Sequence, residues 1–330
     1  MTYPTTKTSF SSLPVVVAAL SCVLASVACA QLSPQREYYG INRTIPMDVA
    51  MPEGVAGEVK IVLYSPGGDE VAVAAASEGA VDLAGLFPVL WTTTTPTMLY
   101  AQLLVDDKGI GSPVVLSPMV TPNLAIRTMK DNRPHAQFPD RSRQGAVYAG
   151  IRAWTDRHVV FNTSLGDIEF HMRPDKAPNT VANFIDLVEG GYYTDIIFHR
   201  IMGRSKFMAQ VGDPTGTGSG GPGRFIDLEQ SDLPHDFGVL SMARTGDPNT
   251  NGGQVFVCFS RDGTFFLDTQ YCSFAQAVAG ADTILALEAV ETGAQDRPLD
   301  PPVLKSAKTV PAPPFGTGPE PLTRPETTGR

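Results

Sequence analysis

The sequence predicts a mainly β protein built from two domains, and three observations carry that reading. At 330 residues the chain is long enough for two separate cores. Its 31 glycines and 28 prolines call for many turns and few long helices. Short β-branched runs bounded by Gly, Pro, Asp or Ser recur through both halves, whereas helical spacing is confined to two segments.

Residues 1–30 have the make-up of an export signal. Lys7 is their sole charge, Leu13–Val27 is mostly apolar, and Ala28-Cys29-Ala30 gives a small-x-small cleavage pattern before Gln31. The apolar run is too short and interrupted for a membrane span. Lipidation at Cys29 is the disfavoured alternative, because Ser26 stands where lipoprotein signals usually carry Leu. The expected address is the periplasm or cell envelope of a bacterium.

Residues 31–128 read as a small β-sandwich, with the immunoglobulin arrangement open. Strand-like runs at Glu58–Tyr64, Val71–Ala75, Thr97–Val105 and Pro113–Leu116 are separated by hairpin-type turns such as Asp106-Asp107-Lys108-Gly109. The polar stretch 129–144 reads as a linker. Residues 145–294 form the second domain. It opens on a hairpin, Val159–Thr163 and Ile168–Met172, followed by a helix from Pro178 whose Val181, Phe184, Leu187 and Val188 share a face and which Gly190-Gly191 ends. Strands at Ile196–Met202, Phe207–Val211, Val239–Ala243 and Val255–Phe259 follow, then a helix at Ala281–Val290. The Pro- and Thr-rich tail, 295–330, reads as disordered.

A net charge of −9 without any basic run argues against nucleic acid or an anionic membrane surface as partner. After signal removal only Cys258 and Cys272 remain. Side-chain alternation puts Cys258, and not Cys272, on the face of a common site, so two free, partly buried thiols are expected. Three motifs are decoys. Gly216–Gly221 matches a dinucleotide loop, but Pro222-Gly223 follows where a helix is needed. Asp247–Gly252 copies half a calcium loop, yet Cys258 stands where the bidentate Glu belongs. The five histidines show no zinc-ligand spacing and read as structural or solvated, His199 as buried and hydrogen-bonded.

The chemically informative stretch is Phe198–Gly221 together with Gly252-Gly253-Gln254-Val255-Phe256. It sets Arg200, glutamines and apolar side chains on strands, and it offers no evident nucleophile–base pair and no metal-ligand spacing. That suits a reaction that breaks no covalent bond, such as rotation about an X–Pro amide. The segments Asn183-Phe184, Gly191-Tyr192-Tyr193, Phe198-His199-Arg200, Phe207–Asp213, Gly238–Ala243, Asn249–Phe256 and Phe266-Leu267-Asp268 follow one another in an order and spacing that resembles cyclophilin-type peptidyl-prolyl cis-trans isomerases. The resemblance covers about two-fifths of the chain.

It implies a closed eight-stranded β-barrel capped by two helices, with a catalytic arginine at Arg200. It also implies a proline pocket of Phe207, Met208, Phe256 and Leu267. Gln210 corresponds to the glutamine that bonds the substrate backbone, and Ala243, Arg244 and Gln254 to the groove for residues before the proline. Phe266 replaces a tryptophan and Tyr271 a common histidine, while Arg244 adds positive charge to the groove. No cofactor is implied. The implied partners are proline-containing unfolded or partly folded polypeptides, and the first domain is open to an envelope partner. A non-catalytic proline-binding module is the alternative. A hydrolase is a distant third, because Ser241 and Ser260 lack an evident His–Asp partner in the sequence.

Overall fold

A computed structural model describes residues 31–140 and 145–326. The export signal and Cys29 lie outside the described residues. The chain is mainly β, as its composition predicts.

In the N-terminal half, a three-stranded sheet takes the order Leu32–Pro34, Pro46–Val49, Gly79–Asp82. The second sheet runs Tyr38–Gly40, Tyr148–Thr155, Val114–Val120, Leu99–Val105, Val59–Tyr64, Glu70–Ala75, with Lys108–Gly109 paired to Leu99–Val105. Leu32, Met47 and Val49 of the first sheet share one core with Ile61, Leu63, Leu103 and Val114 of the second. The strand Tyr148–Thr155 falls in the stretch assigned by sequence to the second domain. Its Ile151 and Ala153 are buried in the first core, so it pairs with Val114–Val120 instead.

The stretch expected to be a linker holds a hairpin, Ile126–Lys130 against Arg133–Gln137. Asp131 and Asn132 both take positive φ, the two-residue turn that matches strand twist. Ala136 is buried, and its N–H donates to Gln270 Oε1 at 2.9 Å, fixing the hairpin to the C-terminal half.

The C-terminal half is organised by a nine-stranded sheet. Its order is Ile196–Ile197, Val303–Pro311, Arg157–Thr163, Gly166–Met172, Ser273–Ala279, Val239–Met242, Val255–Cys258, Met208–Val211, Arg200–Ile201. The closed eight-stranded barrel implied by the resemblance is thus a nine-stranded curled sheet. Its edge strands are separated in sequence only by Phe198 and His199, yet no ladder joins them. Phe198 buries its ring in the core while its N–H bonds the Pro302 carbonyl at 2.9 Å, which diverts the chain there.

The expected helix forms at Pro178–Glu189, with Pro178 in its first turn and Val181, Phe184, Leu187 and Val188 buried. Its free N-terminal donors are met by a distant side chain. Glu229 accepts the backbone N–H groups of Asn179 (3.1 Å) and Thr180 (2.6 Å). Phe161, Phe170, Phe184, Tyr193 and Phe274 form an edge-to-face aromatic cluster between helix and sheet. The second helix, Ala281–Glu288, packs Ile284 and Leu287 on the same core.

The tail is not disordered through residue 326. Val303–Pro311 is inserted between Arg157–Thr163 and Ile196–Ile197 and hydrogen-bonded on both sides. Beyond it Phe315 stacks on Tyr64, Leu322 N–H bonds the Ala277 carbonyl at 2.8 Å, and Arg324 forks onto Glu288. Both cysteines are free and fully buried, more so than expected, and burial pushes both thiols up.

Candidate active site

Strand register builds the site. Arg200 lies opposite Gln210, and Gln210 opposite Phe256, so the three form a row on one face across adjacent strands. Beside the row, Met208, Phe256 and Leu267 are buried with Leu233, Val239 and Cys258, and Phe207, Ala243 and Tyr271 pack against them half-exposed. Phe207 stacks on Phe266 at 5.6 Å, and Phe266 is 58% exposed. The result is an apolar floor with an aromatic rim and a half-exposed guanidinium at one side.

Glutamines continue the polar side. Gln210 Nε2 donates to Gln254 Oε1 at 2.8 Å, and Gln254 Nε2 donates to the carbonyls of Gly218 (3.1 Å) and Gly220 (2.8 Å). Gln210, Ala243, Arg244 and Gln254 line a neighbouring cleft of about 580 Å³ with the Gly218–Phe225 loop. The close backbone approach here needs glycine. Gly212 has φ +101, and a Cβ on it would lie 2.1 Å from the Gly253 carbonyl oxygen.

Arg244 does not add free charge to the groove as expected. Its guanidinium lies 4.4 Å over the Tyr271 ring and donates to the Gln270 carbonyl from Nε and Nη2. Nη1 donates to the Thr245 carbonyl at 2.9 Å, so stacking and three backbone bonds satisfy it against the wall.

Residues 158–309 match the family model for the cyclophilin type peptidyl-prolyl cis-trans isomerase/CLD. Peptidyl-prolyl cis-trans isomerase-like 1 of Emericella nidulans is 42% identical over 159 residues, covering 47% of this chain and 95% of that protein. The chain belongs to the cyclophilin-type peptidyl-prolyl isomerase family. It is therefore an isomerase of X–Pro peptide bonds. Peptidyl-prolyl cis-trans isomerase ppi1 of Schizosaccharomyces pombe is 40% identical, over 46% of this chain and 97% of that one. A Cryptosporidium parvum cyclophilin type peptidyl-prolyl cis-trans isomerase, solved in the presence of the dipeptide Ala-Pro, is 35% identical. It covers 46% of this chain and 96% of that one, with a TM-score of 0.43.

Sequence reasoning about this cyclophilin-type chain missed two features. The first is Asp296, whose Oδ2 accepts from Arg200 Nε (3.3 Å) and Nη2 (3.2 Å). It was hidden because residues after 294 read as a tail.

The second is a hydrogen-bonded row whose members carry no recognisable spacing along the chain. Ser241 Oγ lies 2.9 Å from His235 Nε2, and His235 Nδ1 lies 3.0 Å from Asp268 Oδ1. Ser241 does have a His–Asp partner after all. Ser241 and His235 are both 0% exposed, however, and His235 stacks on Phe256, so no carbonyl substrate reaches the hydroxyl. Burial lowers the His235 pKa against the pull of Asp268, which favours a neutral ring. Asp268 also takes Arg261 Nη2 at 2.5 Å and the His235 N–H at 2.9 Å, so the row braces Leu267 and the apolar floor.

His199 is buried as expected, but neither ring nitrogen has a hydrogen-bond partner among the described residues. Burial keeps it on the neutral side.

Proposed function

We propose that the mature protein is an exported bacterial isomerase acting on X–Pro bonds of unfolded or partly folded polypeptides, with Arg200 as its catalytic residue. The observation that carries the assignment is the row Arg200–Gln210–Phe256 beside the buried floor of Met208, Phe256 and Leu267. The export signal read in residues 1–30 supports the location.

The chemistry follows from the amide. A planar X–Pro bond delocalises its nitrogen lone pair into the carbonyl. At the twisted midpoint that delocalisation is lost and the lone pair is localised on a pyramidal nitrogen. An N–H of Arg200 aimed at that nitrogen binds the twisted form better than either planar form, which is what lowers a barrier. Arginine suits the task because it stays protonated and its donors form a rigid fork.

The apolar floor holds the proline ring, with Phe207 and Phe266 at its rim. Gln210 holds the neighbouring backbone, and the cleft at Ala243, Arg244 and Gln254 takes residues before the proline. Fixing both sides of the rotating bond directs binding energy into the twist. A cyclophilin-like barrel curling toward closure gives this face its rigidity. The N-terminal sheets are the part open to an envelope partner.

Isomerisation of a short X–Pro peptide is the test. Arg200→Ala is expected to lower kcat/KM at least about 100-fold, the scale of losing one positioned electrostatic donor, while peptide binding persists. A folded wild type without acceleration, or an Arg200→Ala variant as fast as wild type, would move the weight to a proline-binding module. Mass spectrometry of the exported chain should place its first residue at Gln31.

A further inference from the structure

We propose that Asp296 is a positioning residue for this isomerase site, holding one edge of the Arg200 guanidinium so that the other faces the twisted amide. This rests on the reading of Arg200 as the catalytic donor. Arg200 comes from an edge strand of only two residues and its side chain is 43% exposed, so its own strand packing leaves it free to sample several rotamers. Asp296 Oδ2 takes both Nε and Nη2, at 3.3 and 3.2 Å. Two donors on one oxygen fix the plane of the guanidinium. Both Nη1 protons and the second Nη2 proton have no partner among the described residues.

The aspartate is itself held by an unusual turn. Gln295 and Asp296 are consecutive left-handed residues, with φ of 58° and 59°. Asp tolerates that conformation, whereas Gln adopts it at a cost. Two ties keep the turn closed. Gly293 N–H donates to the Arg297 carbonyl at 2.8 Å, and Arg297 Nη1 donates to the Gly216 carbonyl at 2.8 Å. Gly216 begins the loop whose Gly218 and Gly220 carbonyls orient Gln254. One loop and one turn therefore orient the arginine and the glutamine together, although neither lies on the strand that carries Arg200.

The turn also provides a clean test, because glycine is at ease at φ 59°. Asp296→Gly removes the carboxylate while relaxing the backbone, and Asp296→Asn keeps an acceptor in the same place. Both are compared with wild type and Arg200→Ala by NMR exchange on a short X–Pro peptide, which separates the on-enzyme rate from affinity.

The expected result is an on-enzyme rate about 2–5-fold lower in Asp296→Gly with peptide affinity little changed, the upper part of the range for losing one exposed ion pair. Asp296→Asn should retain most of the rate, and Asp296→Gly should add no loss in the Arg200→Ala background. An unchanged or faster Asp296→Gly overturns the inference, as does a loss confined to affinity or an equal loss without Arg200. Collapse on Arg200→Ala with an unaffected Asp296→Gly overturns this inference alone. A rate that survives Arg200→Ala overturns the reading of the arginine and this inference with it.

Discussion

Asp213 governs a part of the site that it never touches. Its buried carboxylate accepts the backbone N–H groups of Thr215 (2.7 Å) and Gly218 (2.6 Å) and the hydroxyl of Thr215 (2.7 Å), which folds the glycine-rich loop back on itself. That loop supplies the carbonyls that orient Gln254. Burial alone would raise this carboxyl, but the Thr215 hydroxyl and the Gly220, Thr215 and Gly218 N–H groups overcome it and hold it well below the usual carboxylate range. A depressed native pKa contributes stability that is complete above about pH 4 and is lost as pH falls further. Asp213→Asn should therefore cost about 2–3 kcal/mol at pH 7, with the gap to wild type closing below about pH 4 in urea titrations; a gap independent of pH would assign it to packing. From sequence, Gly216–Gly221 reads as a flexible surface loop, because composition reports glycine and cannot report that a buried acid three residues upstream collects the loop's donors. Arg200, Gln210 and Phe256 were legible for the opposite reason, since alternation along short strands fixes their common face.

Elements were legible where one segment carries its own pattern, and hidden where a neighbour supplies it. The helix Pro178–Glu189 announces itself by its apolar face and its terminal Pro and Gly. The strand Val303–Pro311 does not, for it buries Leu304 and Ala307 among lysines, Ser and Thr. Its order comes from ladders on both sides, to segments more than a hundred residues earlier in the chain. The hairpin at Ile126–Gln137 was hidden likewise, because the partner of Ala136 is Gln270. If the tail strand carries load, Leu304→Ala should destabilise the protein by about 2–4 kcal/mol, whereas Lys305→Ala, pointing to solvent one residue on, should change stability by less than about 0.5 kcal/mol. Chemical denaturation of the two variants decides it. Equal, negligible effects would mean that the strand is detached in solution.

At the scale of the whole molecule, the two halves and the tail meet at Asp156. It lies between Tyr148–Thr155, the last strand of the N-terminal sheet, and Arg157–Thr163, the first of the C-terminal one. The segment Ala312–Pro321 closes over a cavity of about 330 Å³ that Asp156 shares with Tyr100, His158, His171, Arg173, Asp175 and Gln276. Asp156 is 4% exposed and accepts the Arg157 N–H at 2.9 Å. Among the described residues no cation pairs with it. Arg173 faces the same cavity but is forked onto Asp175, at 2.8 and 2.7 Å, and donates from Nη1 to Gln276 Oε1. Burial, with Asp175 adding repulsion, pushes the Asp156 carboxyl up to about 7, while burial and the neighbouring His158 push His171 down to about 4. The native state thus keeps a proton on Asp156 that the unfolded chain releases near pH 4, so the contribution of Asp156 to stability falls as pH rises from about 4 to about 7 and then levels off, while His171, held neutral down to about 4, contributes the opposite slope. Asp156→Asn keeps the acceptor for the Arg157 N–H and cannot ionise. It should match wild type near pH 4 and exceed it at pH 8, by on the order of 4 kcal/mol for a shift of about three units. Urea titrations of both proteins at pH 4, 6 and 8 measure that difference with every other titrating group held in common. A gap that stays constant with pH would show that the joint admits water in solution, and that the two halves are held by the tail strand and the hairpin rather than by a dry contact at Asp156.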